Sequence, residues 1–306
     1  MAYSKKKKQL ITLAILFVAF LVVKNKNFSP MSYLESKVEE SVLTPIKEKT
    51  PGFNYSDFEL KFPLRLSLKD IQALIPAKPI PIPLKVDELK ARIELPQLFL
   101  LRLESRINAM LYQGYLKFKT SSSYFSKKST ANLNIEKLEL SSHPGLYLFN
   151  VGGQISVDAQ SSFKNESKQL KDIDSLSIAL NLENGSYSGG HMIHGIFKTP
   201  EIRDANAQIN LVKYDDEIVV ENSKFKSSLA NGKISGKFTV NEDTQLLNGD
   251  FKLNIKFSEN GHKSLGQFAA LAANMDIETV NRSWEIDYKL VNSKILNPKV
   301  KPSASF

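Results

Sequence analysis

The chain of 306 residues contains no cysteine. A disulfide framework, a thiolate zinc site and a cysteine nucleophile are therefore excluded. Arginine is scarce as well, because only six of the 41 basic residues are arginine, although the formal net charge is +9. Readout of nucleic acid favours arginine forks and aromatic stacking platforms, and the sequence has no such cluster. We therefore interpret the positive charge as a solvated surface and expect no nucleic-acid partner.

Recognisable catalytic motifs are also missing. The string GSYSG at residues 185–189 has Tyr187 where a nucleophile elbow needs serine. No phosphate-binding loop or dinucleotide fingerprint is present. His191 and His194 are close in sequence, but a spacing of three places them on opposite faces of a strand, so we favour a surface turn over a metal site. The sequence predicts a protein that is not an enzyme, with no catalytic residue, no metal and no cofactor.

One apolar run lies near the N-terminus, where Lys5 to Lys8 and then Gln9 precede fourteen uncharged residues, Leu10 to Val23. This is shorter than the ~20 residues of a typical membrane span, but Gln9 and the snorkelling side chains of Lys8 and Lys24 extend it. No small-residue cleavage site follows. We therefore favour an uncleaved signal anchor over a cleaved signal peptide. Its predicted membrane-contacting residues are Leu10, Ile11, Leu13, Ile15, Leu16, Phe17, Val18, Phe20, Leu21, Val22 and Val23.

Basic residues set the orientation of this anchor. Lys5 to Lys8 outnumber Lys24 and Lys26, and lysine-rich flanks stay in the cytoplasm. The sequence thus predicts four parts: a cytoplasmic tail over 1–8, a transmembrane segment over 9–24, an amphipathic helix over 29–45, and a β-rich domain over 50–306 outside the cytoplasm.

The predicted amphipathic helix has clear boundaries in the sequence. Ser29 is a good N-cap and Pro30 suits the first helical position, whereas Pro45 is expected to end the helix. One stripe at helical spacing comprises Met31, Leu34, Val38 and Val42.

From residue 54 the apolar period changes from 3.6 to 2, which predicts antiparallel strands with one buried and one wet face. Two runs show this best: Leu176, Ile178, Leu180 and Leu182 share one face, and Phe251, Leu253, Ile255 and Phe257 share another. The apolar side chains of such rows must be shielded from water by another part of the protein or by a ligand. We favour a closed core, and the alternative is a groove open to an acyl chain or to a partner's strand or helix.

Two further signals complete the predicted fold. Asn-Gly dipeptides at 184–185, 231–232, 248–249 and 260–261 predict hairpin turns. The segment HKSLGQFAALAANM, from His262, predicts one late helix. The fold class is therefore mainly β: a transmembrane helix and an amphipathic helix, then a long, twisted antiparallel sheet, curved or forming a groove, with one helix inserted late.

The order of these features resembles the type II secretion system protein N (GspN) family. The resemblance rests on TPGFNYSDFELKFPLRLSLKDIQALI after the first helix, on LKVDELKARIELPQLFLLRLESRINAMLYQGYLKFKTS in the middle, and on the closing WEIDYKLVNSKILNPKV. The pattern covers roughly residues 5–300 and is shared with AsmA-like envelope proteins. Asn292 and Ser293 replace the Gly-Thr that usually precedes the closing Asn-Pro.

The resemblance implies a non-enzymatic, single-pass protein of the bacterial inner membrane with its C-terminal domain in the periplasm. Its role would be to support assembly of the type II secretion system or to bridge inner-membrane components and the secretin. The AsmA-like alternative implies a curved sheet that shields acyl chains during lipid binding or transfer. The expected partners are thus the inner membrane, other secretion-system proteins or lipid acyl chains.

The predicted anchor has a testable consequence. Because no cleavage site follows Val23, the native protein should keep its N-terminus and fractionate with the inner membrane. N-terminal sequencing of protein purified from cells checks this, and a mature N-terminus near residue 25 would contradict it.

Overall fold

The computed structural model describes residues 30–61, 65–75, 82–94, 97, 101–126, 128–147, 149–164, 173–190, 192–193, 197–241, 246–266, 282–291, 293–296 and 299–303. Across these residues the chain forms one antiparallel sheet of fifteen strands and a separate two-stranded hairpin. Helices are few and short. The prediction of a mainly β, antiparallel fold is confirmed.

Alternating apolar and polar residues produce long strands. In chain order they are β1 (Asp57–Lys61), β2 (Arg65–Ile75), β3 (Ile82–Ile93), β4 (Arg102–Leu111), β5 (Gly114–Ser123), β6 (Lys128–Glu139), β7 (Val151–Lys164), β8 (Ile173–Tyr187), β9 (Met192–Ile193), β10 (Phe197–Lys198), β11 (Ile202–Tyr214), β12 (Glu217–Lys226), β13 (Ala230–Val240), β14 (Leu247–Phe257), β15 (Ser283–Val291), β16 (Lys294–Ile295) and β17 (Lys299–Pro302).

The sheet is a meander, in which each strand pairs with the next along the chain. One departure lies between β8 and β11, which pair directly because the small β9–β10 hairpin is inserted between them. The other is β17, which pairs with β15 rather than with β16. Pairing of this kind keeps strands that follow one another in the sequence adjacent in space. Position along the chain therefore maps almost directly onto position across the sheet.

A helical segment precedes the sheet. It comprises α1 (Pro30–Val38), a π-type turn (Glu39–Leu43) and α2 (Thr44–Lys49). The predicted end at Pro45 is wrong, because the helix continues to Lys49. In the π-type turn the N–H of Thr44 donates to the carbonyl of Glu39, five residues back. Pro45, which has no N–H, then falls in the first turn of α2, where a missing donor costs little.

Leu43 anchors this helical segment on the first strands. It is 3% exposed and belongs to a buried apolar cluster. The other buried members of this cluster are Leu68, Ile71, Val86, Ala109 and Leu111. Close by, a 3₁₀ turn (Leu140–Ser142) leads to α3 (Pro144–Tyr147), which contacts both β3 and β7.

A second apolar cluster lies in the last strands. It is built on the fully buried Trp284, with Ala230 and Phe257, and Leu265 packs against it. Leu265 belongs to a π-type turn (His262–Gly266) that follows α4 (Glu259–Gly261). The start of the predicted late helix is thus helical, and the rest of it lies outside the described residues.

The Asn-Gly dipeptides are not hairpin turns, contrary to prediction. Gly185 lies at a register irregularity of β8, Gly232 and Gly249 lie inside β13 and β14, and Gly261 lies in α4. A Cβ on Gly232 would collide with the ring of Phe225, and one on Gly249 with the opposite backbone. Here glycine permits close approach between strands rather than a turn.

Both described edges of the sheet are protected against further pairing. At β1, the backbone N–H of Leu60 donates to Oε1 of Glu35 from α1, at 3.2 Å. At the other edge, β16 and β17 cover parts of β15, and β17 carries Lys299, Lys301 and Pro302. Lysine and proline are residues that discourage addition of another strand.

Among the described residues, no helix has the length and apolar character needed to cross a membrane. The anchor predicted over 9–24 lies outside them.

The packing of Leu43 generates a prediction. Leu43→Ala should lower the free energy of unfolding by about 2–5 kcal/mol, because it leaves a cavity under the helix. Val42→Ala is the matched control: Val42 is adjacent and 47% exposed, so its effect should stay within about 0.5 kcal/mol. Denaturant titration of the full-length variants checks the difference, and equal effects would contradict it.

Candidate functional site

A row of thirteen residues crosses the sheet on one face. Each member comes from a different strand and is the direct cross-strand partner of the next, so the side chains point to the same side. The members of this apolar row are Leu60, Leu66, Ala91, Ile107, Phe118, Leu133, Ala159, Ile178, Leu211, Val220, Gly236, Phe251 and Tyr288. None carries a charge, although a quarter of the chain's residues do (24% Asp, Glu, Lys and Arg).

A second row of cross-strand partners lies next to the apolar row, displaced by one residue on every strand, and its chemistry is the opposite. Its members face the other side and, apart from two valines, are polar or charged. This polar row comprises Lys61, Arg65, Arg92, Arg106, Lys119, Asn132, Gln160, Ser177, Val212, Val219, Lys237, Asp250 and Lys289. A slip of one residue would exchange the two rows, so the pattern fixes the register.

Both apolar runs singled out in the sequence lie on the apolar face. Ile178 in β8 and Phe251 in β14 are members of the apolar row itself. The remaining members of the two runs alternate with polar residues, so they point to the same side as these two: Leu176, Leu180, Leu182, Leu253, Ile255 and Phe257. The structure therefore brings both runs onto one surface, with β11, β12 and β13 between them.

The cover on this face differs along the sheet. Ile255 and Phe257 pack into the Trp284 cluster, whereas Leu176, Ile178, Leu180 and Leu182 are half-buried. Among the described residues, β8, β11 and β12 pack chiefly against their sheet neighbours. Within the described residues these three strands make no substantial contact with a helix, and of their members of the apolar row Val220 is buried whereas Ile178 and Leu211 are half-buried.

Aromatic rings fill the apolar face toward its C-terminal end. The rings of Phe251 and Tyr288 stack with centroids 4.6 Å apart, and the ring of Phe238 lies 6.0 Å from that of Phe251. Offset stacking of this kind adds to the free energy of apolar burial. Gly236 sits directly opposite Phe251, and a Cβ there would clash with Phe251.

The polar face is held by ion pairs. The buried carboxylate of Glu104 lies 3.0 Å from Nζ of Lys119 and 2.9 Å from Nη2 of Arg106. Burial alone would raise the pKa of Glu104, but the hydrogen bonds from Lys119 and Arg106 outweigh it and hold the pKa below its usual range. Glu104 therefore stays ionised, as a fixed counter-charge for the basic members of the polar row.

A concavity of about 460 Å³ lies against the first strands, and most of the residues that line it are charged. Lys61 pairs with Glu59 and Lys90 with Glu88, so these charges are already matched. Within the described ranges, no group of three histidine, aspartate or glutamate side chains is arranged to hold a metal ion. His191 and His194 lie outside the described residues.

Sequence reasoning missed the middle of the apolar row. Leu133 and Ile135 in β6 alternate with Asn132 and Asn134, and this signal was readable in the sequence. Ala159 is flanked in β7 by serine, aspartate and glutamine, so no run of large apolar residues marks it. Its place in the row follows from its partners, Leu133 and Ile178.

Comparisons of the chain with protein-family models, with curated proteins and with solved structures found no match.

The uneven cover predicts two different responses to a buried charge. Ile255→Asp places a carboxylate beside the Trp284 cluster and should lower the thermal midpoint strongly, since an unpaired buried charge costs several kcal/mol. Leu180→Asp, on the same face but away from both buried clusters, should lower the midpoint much less, because water can reach the new carboxylate. Thermal melts of the full-length variants check this. A large fall for Leu180→Asp would indicate a closed core at that position.

Proposed function

We propose that this protein binds the hydrocarbon chains of lipids on the apolar face of its sheet and acts, without catalysis, in lipid binding or transfer in the bacterial envelope. The observation that carries the proposal is the apolar row, which keeps uncharged residues opposite one another through thirteen strands.

The dimensions of the row suit extended hydrocarbon. Neighbouring strands lie about 4.8 Å apart, so a row across thirteen strands is about 60 Å long. That is roughly twice the ~30 Å thickness of the hydrocarbon core of a bilayer. Several acyl chains can therefore lie along it end to end. The contacts of α3 with both β3 and β7 support a sheet that curves around such chains.

The chemistry of the row favours hydrocarbon over a protein partner. Protein interfaces carry about one hydrogen bond per 100–200 Å², and the row offers a hydrogen-bonding side chain only at Tyr288. Addition of a partner's strand is disfavoured at β1 and β17, because Glu35 caps the first edge and lysine and proline occupy the second. An acyl chain needs neither hydrogen bonds nor a free edge.

The proposed location of the protein is the inner membrane, facing the periplasm. With an uncleaved anchor over 9–24, the β-rich domain would be tethered to the inner membrane and lie in the periplasm. The resemblance to the type II secretion family gives the competing function, in which the same face would seat a segment of another secretion-system protein. The secretion-system function is supported by the pattern of the sequence. The two functions differ in which molecule occupies the apolar face, a lipid or a protein.

Site-specific photo-crosslinking separates them. Leu180 is replaced by photoreactive benzoylphenylalanine in the full-length chain, produced in cells and irradiated. Because the side chain at 180 points to the apolar face, we expect a covalent adduct with phospholipid, detected by mass spectrometry. Asn181 is the matched control, since it is adjacent and points to the polar face, and should give no lipid adduct.

The outcomes are distinct. Lipid on position 180 and none on 181 supports the proposal. An adduct with a protein at 180, and no lipid, would support the secretion-system function instead. Equal lipid labelling at both positions would contradict a specific hydrocarbon face.

A further inference from the structure

The most exposed large apolar side chains of the described residues lie in the β5–β6 turn. Tyr124 is 77% exposed and Phe125 is 74% exposed. Their rings meet edge to face, with centroids 6.0 Å apart. Two aromatic rings held in water at the tip of a hairpin are unfavourable by themselves, and such exposure marks interaction surfaces.

Two leucines join them from the neighbouring hairpin. The backbone N–H of Tyr124 donates to the carbonyl of Leu101 at 3.1 Å, which ties the β5–β6 turn to the start of β4. Leu101 and Leu103 are both exposed, and Leu101 has a φ of 54°, an uncommon conformation for leucine. We define the apolar tip as Leu101, Leu103, Tyr124 and Phe125.

Cationic residues flank the apolar tip. Arg102 follows Leu101, and Lys128 begins β6 directly opposite Lys164 of β7. Like charges directly opposite each other are destabilising. Lys128 has one acidic neighbour, Asp174 at 3.7 Å, and within the described ranges Lys164 forms no ion pair. The surroundings of the tip therefore favour an anionic surface.

The helical segment begins at the end of the strands that carries the apolar tip. Glu35 bonds to Leu60, near the β1–β2 connection, whereas Leu43 packs with Ile71 and Leu111, near the opposite strand ends. The helix thus runs away from the end that carries the apolar tip. Its first residue, Pro30, therefore lies at the same end of the strands as the apolar tip, and the proposed membrane anchor before residue 30 would leave the domain at this end.

We propose that the apolar tip inserts into the interface of a lipid bilayer that contains anionic lipid. Tyrosine is enriched at the boundary between headgroups and acyl chains, and phenylalanine and leucine are apolar residues that interfacial segments bury there. Each nearby lysine or arginine adds attraction to anionic headgroups. This inference rests on the proposed function, because it identifies the bilayer as the source of the hydrocarbon that reaches the apolar face.

Leu103 connects the tip to that face. It precedes Ile107, a member of the apolar row, by four residues on β4 and points to the same side. An acyl chain leaving the bilayer at the tip would pass Leu103, then Ser105, whose hydroxyl is hydrogen-bonded to that of Thr120, and then Ile107, without crossing a charged side chain on that strand.

The absence of native cysteine makes a direct test possible. Phe125→Cys in the full-length chain is labelled with the environment-sensitive fluorophore NBD and mixed with vesicles of phosphatidylglycerol and phosphatidylcholine. We expect the emission to rise, to shift to the blue, and to be quenched by lipids with nitroxide-labelled acyl chains. Tyr124→Cys is a second position with the same expectation. Tyr147→Cys is the matched control: it is an aromatic position, 67% exposed, at the opposite strand ends, and should keep a water-like spectrum.

Three results would overturn the inference or part of it. A water-like spectrum at both 124 and 125 in the presence of vesicles would overturn it, and so would an equal response at 147. An equal response in vesicles of phosphatidylcholine alone would contradict the role given to Arg102, Lys128 and Lys164. Lipid adducts at position 180 without insertion of the tip would contradict only the proposed insertion and would still support the proposed function.

Discussion

Cross-strand register is the constraint on which the rest of this structure depends. Side chains alternate between the faces of a strand, so the apolar face exists only while each strand keeps the correct phase with its neighbour. Irregularities in the β6–β7, β7–β8, β8–β11, β11–β12 and β12–β13 pairs shift the register locally without breaking the apolar row. Its members Leu133, Ala159, Ile178, Leu211 and Val220 remain direct partners. The bulged strands thus retain their phase through the middle of the sheet.

The two faces stabilise the sheet by different means. Ion pairs such as Lys117–Glu136 and Lys237–Glu217 link adjacent strands on the polar side, but exposed pairs of this kind contribute little. The apolar side provides most of the stabilisation where it is buried, in the Leu43 and Trp284 clusters. Between the clusters most members of the apolar row are half-buried and only Val220 is buried, so the region with the least apolar stabilisation coincides with the surface proposed to bind lipid.

The strands could be predicted from the sequence because their signal is local. Alternation in β1, β2, β8 and β14 is visible within a few residues. Turns were harder to predict, since the same glycines serve close strand contacts. The β4–β5 turn is instead made by Tyr112 and Gln113, both with positive φ. Tertiary contacts hold Tyr112 there, because its hydroxyl donates to the carbonyl of Pro83 and its ring packs near His143. Continuity of the apolar row depends on non-local pairing, so the two apolar runs could be found but not their shared surface.

The meander allows the number of strands in the sheet to change by insertion or deletion of a hairpin. Strands β8, β11 and β12 pack chiefly against the next strand on either side, so their contacts resemble those in a repeat protein, whose stability is a sum of units and nearest-neighbour interfaces. Inserting or deleting one hairpin among these strands would preserve the interfaces between the other strands. It would lengthen or shorten the apolar row by two strand spacings, about 10 Å. Duplication of a few dozen residues can therefore change the length of the apolar face without redesign of a core.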